Sequence, residues 1–105
     1  YPLITSTKTT RVINGDSPTI VLEGDNFDYT DAVYLSSDSA TIYNDTLSSY
    51  GDFNGILLSS SEYTIASDNV LYVTSRLLND VGNINIIVEN PSGYIVSDQI
   101  EIINI

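Results

Sequence analysis

Apolar and polar residues alternate in short runs along this chain. In residues 19–27, TIVLEGDNF, Ile20 and Leu22 share one face while Thr19, Val21 and Glu23 share the other. In AVYLS, Val33 and Leu35 oppose Tyr34, and in VLYVTS, Leu71 and Val73 oppose Tyr72 and Thr74. In NINIIVEN, Ile84, Ile86 and Val88 oppose Asn85, Ile87 and Glu89, and in QIEIIN, Ile100 and Ile102 oppose Glu101 and Ile103. A period of two with one apolar face marks antiparallel strands packed on one side. Further, weaker strands are predicted at residues 3–6, 10–13, 40–43 and 62–66. No window of a dozen residues keeps helical spacing, and the best helical stretch, residues 75–81, is long enough for only a turn or two. About seven to nine short antiparallel strands, separated by Asn, Asp, Ser and Gly, predict an all-β sandwich.

Two connections stand out. Between Val88 and Tyr94 lies Asn90-Pro91-Ser92-Gly93. Pro91 presets φ near −65° and Gly93 tolerates positive φ, so this stretch predicts a hairpin turn, with Tyr94 opening the last strand. Residues 44–61 form the longest irregular stretch, with Tyr50, Phe53, Ile56, Leu57 and Leu58 embedded in it. The expectation is a crossing connection whose apolar residues cap the open end of the sandwich.

Composition narrows the function classes. The 105 residues fit one domain, long enough for a core without covalent staples. There is no Cys and no His, which removes disulfides, thiolate metal sites and the commonest general base. An enzyme would have to work with carboxylates, Tyr, Lys8 or hydroxyls. The balance of 3 basic against 14 acidic residues, net −11, lacks the cationic footprint of a nucleic-acid binder and disfavours an anionic membrane surface. No stretch approaches the roughly 20 apolar residues of a membrane span. A chain opening on Tyr1 rather than Met is expected to be a processed product or a piece of a longer polypeptide.

The order of these segments resembles the IPT/TIG family of immunoglobulin-like domains. The resemblance rests on YPLITS, TIVLEGDNF, AVYL, LYVTS, VGNINIIVEN and PSGYIVSDQIEI, and so covers most of the chain. Gly24, Asn26 and Phe27 match a strand ending Gly-x-Asn-Phe, whose Phe enters the core in that family. Gly82, Ile84, Ile86, Val88, Asn90 and Gly93 match a later strand and its Asn-x-x-Gly turn. Two positions depart from the family: NGDSP stands where a Gly-Gly doublet is frequent, and Ser75-Arg76 where Thr-Pro is usual. The resemblance makes Gly24, Phe27, Asn90 and Gly93 fold-defining. It implies a binding or spacer module of the kind found in receptors, bacterial surface proteins, polysaccharide-active enzymes and phage virions. The richness in Ile, Asn, Asp and Tyr, with little Ala, looks like that of an AT-rich bacterial or phage gene, and such a source is the expectation.

Candidate sites are few. Within EGDNFDYTD, Asp25, Asp28 and Asp31 are weak calcium candidates, because hard cations take six to eight oxygens. The EF-hand order is not met, and the plainer reading is an acidic loop with local turn bonds, so no cofactor is expected. Tyr34 and Tyr72 fall opposite the apolar faces of their strands and are expected outward, as an interaction surface. Asn44-Asp45-Thr46 is a glycosylation sequon. Asp52 beside Tyr50, or Asp25 with Asp28, are carboxylate arrangements with no cleft signal around them. The expectation is therefore a non-catalytic structural or decoration module of a phage virion or bacterial surface assembly, located on a virion or cell surface and acting through a protein partner. The alternatives are a carbohydrate-binding or adhesive module, or an accessory domain of a polysaccharide-active enzyme.

Overall fold

The strand-forming runs of the sequence pair into two sheets in the structure, a computed structural model that describes residues 2–14, 19–37, 48–74 and 81–104. In chain order the strands are β1 (Leu3–Thr7), β2 (Arg11–Ile13), β3 (Thr19–Asp25), β4 (Ala32–Ser37), β5 (Ser48–Ser49), β6 (Asn54–Leu57), β7 (Tyr63–Ser67), β8 (Val70–Thr74), β9 (Gly82–Asn90), β10 (Gly93–Val96) and β11 (Ile100–Ile103). A single 3₁₀ turn, Phe27–Tyr29, lies between β3 and β4. The sequence expectations at residues 40–43, at 75–80 and at the Asn44 sequon lie outside the described residues.

The smaller sheet runs β1-β3-β8-β7, and the larger runs β2-β11-β9-β4-β6-β5 with β10 also paired to β9. Lettered along the chain, these are the A-B-E-D and G-F-C arrangements of an immunoglobulin-like sandwich, and the domain is an all-β sandwich of that kind. Eleven strands are present among the described residues, more than the expected seven to nine. They are also not all antiparallel: β2 pairs parallel with β11 through Val12 and Ile102. The last strand is broken in two, because Ser97 interrupts it. Ser97 N and Oγ engage the carbonyl and N–H of Ile86, at 2.8 Å each, while Asn85 Nδ2 donates to the Ser97 carbonyl. The chain thus steps outward after β10 and rejoins β9 at Ile100↔Ile84.

The alternation fixes the core. Ile20, Leu22, Leu71 and Val73 of the smaller sheet meet Val33, Leu35, Ile84, Ile86, Val88, Ile100 and Ile102 of the larger, all buried. Facing sheets interdigitate these side chains and fill the space between them.

Phe27 is fully buried, and its entry depends on its neighbours. Asn26 takes a left-handed conformation, φ 66°, and turns the chain inward. Phe27 N donates to the Asp68 carbonyl at 3.0 Å, and Asp28 N donates to Asp68 Oδ1 at 3.1 Å. Asn69 Nδ2 donates to the Gly24 carbonyl and to Asp25 Oδ1, both at 2.9 Å. The end of β3 is therefore clamped to the β7–β8 turn. Gly24 has a reason to be glycine: a Cβ there would lie 1.7 Å from the Leu3 carbonyl oxygen and 2.9 Å from the Phe27 ring. A side chain would push β1 off β3.

The predicted hairpin forms, with Asn90 paired to Gly93. Asn90 Oδ1 accepts from Ser92 N at 2.9 Å and from Ser92 Oγ at 2.8 Å. Pro91 cannot adopt the positive φ of a type I′ turn. Gly93 takes φ 150°, a conformation open to glycine and rare for residues with a side chain.

Removing the Phe27 ring leaves a void where both sheets converge. Phe27→Ala is expected to cost about 3–5 kcal/mol, a large share of a small domain's stability. Equilibrium denaturation checks this, and an unchanged midpoint contradicts the anchor role.

Candidate interaction surface

An apolar row crosses the outer face of the larger sheet. Val96 pairs with Ile87, Ile87 with Tyr34, and Tyr34 with Leu57. Since Val33 and Leu35 point into the core, all four members of this row point away from it. Its ends are open, with Leu57 50% and Val96 45% exposed. Its middle is not: Ile87 and Tyr34 are buried.

Tyr34 thus differs from its expectation. It points outward from the core, as the alternation requires, yet it is only 8% exposed. The cause is residues 44–61. In place of a crossing connection that caps the open end of the sandwich, the described part of this stretch contributes β5 and β6, a hairpin added to the sheet beside β4. Gly51, at φ 77°, helps close its turn, and Tyr50 N donates to the Phe53 carbonyl at 2.9 Å. The turn folds Tyr50 and Phe53 over Tyr34, with ring centroids 4.7 and 5.1 Å from it. Phe53 also meets Tyr94 edge-on at 5.7 Å. These tilted and edge-on contacts are the favoured aromatic geometries. Ile56 and Leu58 turn the other way and join the core.

Two carboxylates border this array. Tyr34 OH donates to Glu89 Oε1 at 3.1 Å, and Tyr94 OH donates to Asp52 Oδ2 at 2.9 Å. Glu89 is also the cross-strand partner of Tyr94. Burial, then the bond to Glu89, pushes the Tyr34 phenol above its ordinary value. For Tyr94 the hydrogen bond to Asp52 comes first and moves it in the same direction. In each case the phenol proton is held between the ring and a carboxylate charge.

The other candidates lie elsewhere. Tyr72 stands on the outer face of the smaller sheet, between Val21 and Thr64, and is 37% exposed. Tyr34 and Tyr72 therefore belong to opposite sides of the sandwich and do not form one surface. Asp25 is held by Asn69, the Asp28 amide by Asp68, and the Asp31 amide donates to the Glu89 carbonyl at 2.8 Å. Among the described residues no three acidic side chains gather in a group able to hold a metal ion. An open cleft of about 330 Å³ lies between the β3–β4 and β9–β10 connections, lined by Asn26, Tyr29, Asn90, Pro91 and Ser92. The sequence expectation sets Tyr50, Phe53 and Leu57 at the end of the sandwich and makes no use of Val96. The signal for Val96 and Leu57 is nonetheless present, since each is an apolar residue at an outward position of its strand.

The tyrosine shifts set an alkaline limit. The folded-state pKa of Tyr34 is raised above its ordinary value of 10.0, so its contribution to stability is complete below that value and is lost as pH rises through the folded pKa. Absorbance titration of Tyr34→Phe is expected to lack a component that ionises above pH 10.0 in the parent chain. An identical titration curve contradicts the assignment.

The scattered carboxylates generate a second expectation. The thermal midpoint should be the same in EDTA and in millimolar calcium, whereas a site filled a hundredfold above its Kd adds about 2.7 kcal/mol. Thermal denaturation in the two buffers decides between them.

Compared with known proteins, the chain matches no family model, and no curated protein matches it significantly.

Proposed function

We propose that this domain is a non-catalytic structural or decoration module, of the IPT/TIG kind, in a phage virion or bacterial surface assembly, and that it acts through protein–protein contacts. The observation that carries this reading is the apolar row Val96–Ile87–Tyr34–Leu57 on the outer face, with its aromatic cover and exposed ends. Large apolar side chains left exposed on one outer sheet face, here Leu57, Val96 and Tyr94, fit a partner surface better than they fit water. The sandwich interior is filled by side chains of both sheets, so the module works from its surface. Fold alone does not assign this role; the outer face supports it.

A second reading, a carbohydrate-binding or adhesive module, is favoured by the cleft at the loop end. Its lining residues carry no formal charge, and Tyr29 there is an exposed ring. Rings and amides of this sort suit a neutral sugar.

Zero-length carbodiimide crosslinking of the parent particle or envelope fraction tests the first reading, since it joins carboxylates to partner lysines. Crosslinks from this domain to a different protein are expected, together with a blank glycan array. A domain without inter-protein crosslinks contradicts the reading. Glycan binding that Tyr29→Ala abolishes favours the second. Tyr34→Ala is a poor probe of binding, because it removes the centre of the aromatic packing.

A further inference from the structure

The outer face of the larger sheet is apolar at its centre and negative at its border. Tyr94 sits between two carboxylates: Asp52 accepts its hydroxyl proton, and Glu89 lies across the strand pair. Each carboxylate is held in place by a tyrosine hydroxyl through one oxygen, which leaves the other oxygen to accept from an incoming donor. Neither is neutralised within the described chain. Lys8 pairs with Glu23 at 3.3 Å and Arg11 with Glu101 at 3.0 Å. The remaining basic residue of the sequence, Arg76, lies outside the described residues.

We infer that the face built by Tyr94, Val96, Phe53 and Leu57, bordered by Asp52 and Glu89, docks a different protein chain that presents apolar side chains flanked by arginine or lysine. Charge complementarity selects this occupant. A guanidinium over Tyr94 meets an aromatic face and two fixed carboxylates together, combining cation–π and charge-assisted hydrogen bonding. A second copy of this chain does not fit. It would bring Asp52 and Glu89 of both copies to one interface, on chains that each carry −11, and like charges pressed together oppose association. Holding the carboxylates before binding lowers the ordering cost of association. This inference rests on the protein-contact reading proposed above and specifies the kind of partner.

The test compares two outer faces of the same molecule. Tyr94 and Tyr72 are equally exposed, 37% each, but stand on different sheets. The isotope-labelled domain is titrated by NMR with a peptide alternating valine and arginine, and with the same peptide carrying glutamate for arginine. Shifts from the arginine peptide are expected to map to Tyr94, Val96, Phe53 and Leu57 and to shrink as salt rises, while the glutamate peptide gives none. Tyr94→Ala, and separately Asp52→Asn with Glu89→Gln, should weaken binding about fivefold or more, and Tyr72→Ala should leave it unchanged. Tyr94→Phe keeps the ring while releasing Asp52, and so keeps the test valid if the alanine variant unfolds. Shifts spread over the whole surface, equal loss with Tyr72→Ala, or binding of the glutamate peptide overturn the inference. So does a dimer of the chain in sedimentation equilibrium that Tyr94→Ala dissociates. If crosslinks in the parent assembly leave this face for an acidic or neutral partner, the inference falls and the protein-contact reading stands. If no inter-protein crosslinks form, that reading falls first.

Discussion

The pairing of β9 with β4 is the constraint on which the rest of the structure depends. Six residue pairs hold it, from Ala32↔Glu89 to Ser37↔Ile84. Within that register Val33 and Leu35 face the core beside Val88 and Ile86, and Tyr34 faces out beside Ile87. A slip of one residue would invert every one of these assignments, burying Glu89 and exposing Ile84, Ile86 and Val88. The core and the candidate docking face are two consequences of one register. On the outward side of β9, Ile87 is buried between its cross-strand partners Tyr34 and Val96, and the Tyr34 ring is itself packed by Tyr50 and Phe53.

β9 also organises the two strands that come after it. Its nine residues are longer than any other described strand, and both β10 and β11 pair along the same edge. The step between them needs a polar residue able to satisfy backbone groups that the ladder leaves unpaired, and Ser97 does this while buried. The opposite end of the chain meets the same place. Thr7 Oγ1 accepts from Asp98 N at 3.1 Å, and Glu101 N donates to the Thr10 carbonyl at 2.9 Å. Residues between β1 and β2 thus carry the chain from the smaller sheet to the larger and join one side of the sandwich. Thr7, Asn90 and Ser97 are the buried polar side chains among the described residues, and each has a hydrogen-bond partner.

The charge of the chain bears on function more than on fold. With 14 acidic against 3 basic residues, the surface repels copies of itself. Within that negative field, the proposed docking face sets exposed Leu57 and Val96 beside two carboxylates that tyrosine hydroxyls hold. The acidic loop after β3 is different in kind. Its side chains and amides clamp β3 to the β7–β8 turn and set the angle at which Phe27 enters. Of its carboxylates, that of Asp25 takes part in the clamp, whereas Asp28 and Asp31 contribute backbone amides.

The sequence by itself determined most of the strands, their inner faces and the main turn, but not the β5–β6 hairpin or the break before β11. Alternation is a local property: Ile20 with Leu22, or Leu71 with Val73, can be read without knowing any partner, and each pair is buried. The Asn90–Gly93 hairpin was legible for the same reason, because proline and glycine restrict φ within the turn itself. Gly24 and Phe27 were legible only through resemblance, and the structure supplies the cause, a Leu3 carbonyl too close for any Cβ. What the tertiary structure alone decided is what covers an outward residue. Tyr34 alternates outward as predicted and is still buried, because Tyr50 and Phe53 come from a hairpin 16 and 19 residues downstream and settle over it. Likewise, Val96 and Leu57 become ends of one row only when β10, β9, β4 and β6 lie side by side. Periodicity reports which way a side chain points; exposure also depends on distant chain that arrives afterwards, and no local pattern encodes that arrival.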